Sequence, residues 1–241
     1  MKKLWNKSEI LFAVLCIVIY VTGNSIFDQV SDELGMEMIL TLPFDILLIA
    51  LFLGFIKRNG LGAYYGICSP KTSAGAMLFY VPLLVISTVN IWFGIVFRKA
   101  FAEGLVYFVA MIATGIVEEL LFRGFLFRAM AKKDLRPAVI LTSLLFGIGH
   151  IVNLFNGSGA GLLESVCQIF YAVSIGFLLV SVLIKGKSLI PCMAAHSVFN
   201  ALSVFANEAM FDKYQIPVSV SLCVLSLASG FYYLKTAESE K

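Results

Sequence analysis

Gly115-Ile116-Val117-Glu118-Glu119-Leu120-Leu121-Phe122-Arg123-Gly124 decides how this chain must fold. Three formal charges sit there inside a run that otherwise reads as a helix in lipid, from Phe108-Val109-Ala110 through Phe125-Leu126-Phe127. A carboxylate or guanidinium at the centre of a bilayer costs a few kcal/mol or more, and such groups face a protein interior where they find partners. Glu119 and Arg123 stand four apart on one helical face, so the sequence predicts that they pair. Glu118 points roughly 100° away from Glu119 and is left for something else.

Composition sets the class. Hydrophobic residues make up 60% of the 241, charged residues 14%, and the mean hydropathy is +0.93. A soluble domain does not show these values. The reading is an all-α, polytopic membrane protein, a bundle of about eight transmembrane helices around an intramembrane polar cavity, with residues 1–241 as one membrane domain. The net charge of +3 is spread by topology rather than gathered into a nucleic-acid patch, so no nucleic acid is expected as a partner. Five cysteines, Cys16, Cys68, Cys167, Cys192 and Cys223, are scattered singly without a CxxC pair, which predicts small core residues rather than disulfides or a zinc knuckle.

Outward from the charged stretch, the apolar runs predict spans at about 10–21, 39–56, 75–96, 105–130, 138–154, 162–184, 188–208 and 217–234. Asn24-Ser25-Ile26-Phe27-Asp28 offers no small-x-small cleavage site, so the first run is read as a retained span. Asp45 lies inside the second span and is expected to reach water or a neighbouring helix. Pro82 predicts a kink in the third, and Pro137 opens the fifth. Asn156-Gly157-Ser158-Gly159 reads as a turn. With both termini in the cytoplasm, the inner segments carry 14 of the 18 basic residues, as the positive-inside rule asks of a cell-membrane protein, and Arg98-Lys99 is the one outer breach.

The chain has two histidines, and both fall in predicted spans. His150 ends Phe146-Gly147-Ile148-Gly149-His150. His196 opens His196-Ser197-Val198-Phe199-Asn200, with Asn200 on its face four residues on. Counting about 1.5 Å of rise per residue puts Glu118 roughly 20 Å from the outer end of its span, His150 roughly 20 Å from the inner end of its own and His196 roughly 12 Å in from the cytoplasm, compatible with one shared site at or below the midplane. Gly147 and Gly149 would let a neighbouring helix come close. One membrane histidine is more often a packing residue than a catalyst, and Glu119–Arg123 by itself reads as a structural clamp. The case for chemistry is joint, since four polar residues on three spans fall at membrane depth. Gln168, Asn90 and Asn153 are single polar residues that interhelical hydrogen bonds explain, although Asn153, three after His150, would also suit the cavity.

In order and spacing, Glu118-Glu119-x-x-x-Arg123, Phe146-x-x-x-His150 and His196-x-x-x-Asn200 resemble the three motifs of the CAAX protease and bacteriocin-processing family (CPBP, or Abi), which includes the type II CAAX prenyl endopeptidases. The resemblance covers about 105–206, and no motif position departs from it. It implies an intramembrane endopeptidase in which Glu118 and His150 activate a water. His196 and Asn200 would then hold it and stabilise the tetrahedral intermediate, with Glu119, Arg123 and Phe146 in support. Glu118, His150 and His196 also make a His₂Glu set adequate for zinc with an open position, whereas asparagine is a poor zinc ligand, so metal dependence stays open. The expected partners are the lipid bilayer and a peptide or membrane-protein substrate, lipidated or not. A non-catalytic immunity or regulatory protein of the same fold is the rival reading, and a proton-relaying transporter is a third.

Overall fold

The computed structural model describes residues 1–154 and 161–238; the side chain of Asn153 and the turn expected at Asn156–Gly159 lie outside what is described. Among the described residues the fold is all-helical. The principal helices are α1 (Glu9–Glu33), α2 (Thr41–Arg58), α3 (Val81–Ser87), α4 (Phe101–Ala131), α5 (Leu135–Gly149), α6 (Leu162–Gly186), α7 (Ile190–Ala201) and α8 (Gln215–Glu238). Five of these regions are long and apolar enough to cross a membrane: α1, α4, α5 with the turn that follows it, α6 and α8. Their outward faces carry large apolar side chains, such as Val18 and Ile19 on α1 and Val224 and Phe231 on α8. That is the surface a bilayer requires, because lipid tails replace water around it.

Two expected spans differ in form. Residues 75–96 do not make one kinked helix. Leu78, Phe79 and Tyr80 take left-handed backbone angles (φ 50°, 51° and 57°), so the helix can begin only afterwards, with Pro82 in the first turn of α3. It runs for seven residues, and past a short turn at Val89–Ile91 Gly94 bends the chain again at φ 93°. The break thus precedes the proline instead of sitting on it. Residues 188–208 also shorten: α7 tightens into a 3-10 turn at Leu202–Phe205, and Glu208 starts a separate short helix.

Packing places α4 at the centre, against α2 and α7, while α1 lies on the stretch Leu120–Leu126 of α4. α6 packs on α5 and α8. Two close approaches fix these contacts. A methyl group on Gly115 would sit 2.8 Å from the backbone of Ser197, so α4 and α7 touch backbone to backbone there, and the Ser197 hydroxyl donates to the Ile112 carbonyl at 3.0 Å. A methyl on Gly147 would meet the backbone nitrogen of Val173 at 2.7 Å, which brings α5 onto α6. Gly149 has nothing within 4 Å of such a methyl, so of the two glycines expected to admit a neighbour only Gly147 does.

Within α4, residues Leu120–Leu126 form a π-helical stretch whose seven residues are all buried, and the Phe127 N–H reaches back to the Phe122 carbonyl. Phe125 from this stretch centres an aromatic cluster with Phe12, Phe52 and Tyr65, at ring distances of 5.1, 5.3 and 5.1 Å. The Arg98-Lys99 pair is neutralised locally. Arg98 pairs with Glu208, and Lys99 reaches Glu37 at 2.5 Å and Glu103 at 3.2 Å. Partial burial lowers the Lys99 pKa, but the hydrogen bonds and charges of Glu37 and Glu103 outweigh it and leave the net shift upward.

Candidate active site

The charged stretch, the two histidines and Phe146 come together. Arg123 Nη1 donates to Glu119 Oε1 at 2.8 Å, and both side chains are buried, 1% and 0% exposed. The same Glu119 oxygen lies 2.9 Å from His196 Nδ1. The far nitrogen of that ring, Nε2, faces Glu118 Oε2 at 3.4 Å. His196 therefore stands between the two adjacent carboxylates. The Gly115–Ser197 contact holds it there, because it presses α7 against α4 one residue from the imidazole.

Phe146 joins the second histidine to this group. Its ring lies edge-on to His150 and to His196, each at 5.5 Å, and the Arg123 guanidinium carbon sits 3.9 Å over its face. Arginine over an aromatic face in a dry interior is an attraction of about 2 kcal/mol. His150 follows the last turn of α5 and lines the same cavity as His196.

A cavity of about 70 Å³ opens beside the histidines, large enough for several waters. Its polar lining includes His150, Gln168, Tyr171, His196 and Asn200, and its apolar wall includes Leu83, Ile86 and Phe199. Gln168 thus faces the cavity. Asn90 behaves as a packing residue, its amide donating to the Phe199 carbonyl at 2.6 Å. Glu118 does not line the cavity; it reaches it through His196.

Glu118 has a partner that the sequence reading did not name. The Tyr20 hydroxyl on α1 donates to Glu118 Oε1 at 2.8 Å. The sequence carried little signal for it: Tyr20 stands at the end of the predicted span 10–21, where a tyrosine suits the membrane interface, but the helix runs on to Glu33 and puts it mid-helix. Asp45 is fully buried and accepts from Thr114 of α4 at 2.8 Å, so of its two expected outcomes the neighbouring helix is the one found.

The donor set does not suit a metal as arranged. Among the described residues no group of three His, Cys, Asp or Glu side chains is gathered where an ion could sit. Both nitrogens of His196 already face carboxylates, and a zinc ligand must turn a lone pair to the ion.

A family model described as Rce1-like, type II CAAX prenyl endopeptidase, matches residues 100–202. That interval contains α4 with both glutamates, His150, and α7 with His196 and Asn200. No curated protein and no solved structure matches the chain.

Proposed function

We propose that this chain, a multi-pass membrane protein whose residues 100–202 match the type II CAAX prenyl endopeptidase family, hydrolyses a peptide bond inside the membrane. One observation carries the reading: a buried line of paired groups, Arg123–Glu119–His196–Glu118, ends beside a cavity that His150 and Asn200 also line. A pure packing device needs one ion pair. This arrangement sets three charged groups behind two imidazoles that line a space large enough for water.

In the proposed reaction, Glu118 and His150 hold and activate a water. Its oxygen bonds to the scissile carbonyl carbon while its proton passes to Glu118, and the carbonyl electron pair moves onto oxygen. The Asn200 amide stabilises that oxyanion, while His196, four residues earlier on the same helical face, holds Glu118. Collapse breaks the C–N bond, and the proton held by Glu118 goes to the leaving amine. Glu119 fixes His196 through Nδ1, which leaves Nε2 directed at Glu118, and Arg123 and Phe146 hold Glu119 and the rings in place. A peptide substrate with a lipid-modified end fits a site reached through apolar walls. The proposed location is the cell membrane, with both termini in the cytoplasm, supported by the distribution of basic residues along the sequence.

The test is cleavage of an internally quenched farnesylated CAAX peptide by the purified chain in liposomes, alongside its unlipidated counterpart. Wild type should cut, and Glu118→Gln and His150→Ala should not. If both variants remain folded and keep the protein's biological effect in cells, it acts by binding a partner instead. For orientation, in a cysteine-free background, Lys213→Cys should react with an impermeant thiol reagent on intact cells and Lys132→Cys should not.

A further inference from the structure

The family match covers residues 100–202, and α1 lies wholly outside it. Yet α1 supplies a hydrogen bond to the carboxylate assigned above as the base. Tyr20 is buried, and its hydroxyl is 2.8 Å from Glu118 Oε1. The other oxygen, Oε2, is the one that faces His196. The carboxylate is thereby held at both ends, from α1 on one oxygen and α7 on the other. A buried phenol with no partner would be costly, so burial and the bond to Glu118 go together. The nearby carboxylates have donors of their own, Thr114 for Asp45 and Thr41 for Asp28, so Tyr20 is not shared out among them. The height of α1 is set independently, by Phe12 against Phe125 of the π-helical stretch at 5.1 Å.

We propose that Tyr20 is a positioning residue of the hydrolytic site: its hydroxyl fixes the rotation of the Glu118 carboxylate so that Oε2 stays directed at His196 and the reacting water. The inference rests on Glu118 acting as the base. It also means that the matched segment is chemically incomplete without the helix that precedes it.

Tyr20→Phe keeps the ring and removes only the hydroxyl. In the full-length protein in liposomes, with the farnesylated peptide as probe, kcat should fall roughly tenfold or more, as for loss of a group that orients a base. KM should stay within about twofold. Tyr65→Phe removes another tyrosine hydroxyl, the acceptor of the Trp5 indole at 2.7 Å, far from Glu118 in the chain, and should leave kcat unchanged. A second readout does not use activity: the infrared band isolated by subtracting the Glu118→Gln spectrum from wild type should move in Tyr20→Phe. An unchanged kcat in Tyr20→Phe, or an unmoved band, overturns the positioning role while leaving the protease reading intact, provided Glu118→Gln is inactive. Equal cleavage by wild type and Glu118→Gln overturns both.

Discussion

His196 Nδ1 lies 2.9 Å from an oxygen of Glu119 that already receives Arg123, and the three groups are almost wholly withdrawn from solvent. Removing the carboxylate would leave a buried guanidinium unpaired. Glu119→Ala should therefore destabilise the protein by about 3–5 kcal/mol, read as a large drop in melting temperature in detergent. A variant that melts like wild type would show that Arg123 has found another partner.

The contact between Gly115 and Ser197 sets the distance from Glu118 to His196, so it should be sensitive to a single methyl group. Gly115→Ala is expected to cost about 1–3 kcal/mol by overpacking and to lower cleavage as α7 moves off α4. Gly149→Ala meets open space and should stay within about 0.5 kcal/mol of wild type. Thermal melts of the two variants side by side make the comparison.

Asn200 lines the cavity with both histidines and is assigned to the oxyanion. Asn200→Ala should lower kcat by about 10²–10³, the usual effect of losing such a donor, with little change in the melting curve. Steady-state kinetics on the farnesylated peptide measure it, and a change confined to KM would move Asn200 to substrate binding.

Because His196 has both nitrogens turned to carboxylates, dialysis against a strong chelator should leave the cleavage rate unchanged. Loss of activity restored specifically by zinc would require His196 to swing away from Glu119, and would refute the metal-free scheme.

Much of this site was legible in the sequence because charge inside lipid has so few tolerable explanations. Glu119 and Arg123 pair as their spacing predicts, and His150, His196 and Asn200 share a cavity as their depths suggest. What spacing does not convey is rotation about helix axes relative to other helices. Hence the sequence could not tell that His196 engages Glu119 more closely than Glu118, or that Glu118 turns toward Tyr20. The third span was misread for a different reason. Hydropathy counts apolar residues and is blind to three consecutive left-handed backbone angles at Leu78, Phe79 and Tyr80, none of which is a glycine.

The widened turns at Leu120–Leu126 carry a consequence for chain length. A helix that closes its hydrogen bonds one residue further along holds one residue more than regular winding would. Were the stretch to close to ordinary winding with every residue kept, Phe125 and Phe127 would turn by about a quarter turn relative to the glutamates. The glutamates, Phe125 and Phe127 face their partners together only because the helix accommodates this surplus residue, so in α4 the number of residues is as binding a constraint as their identity.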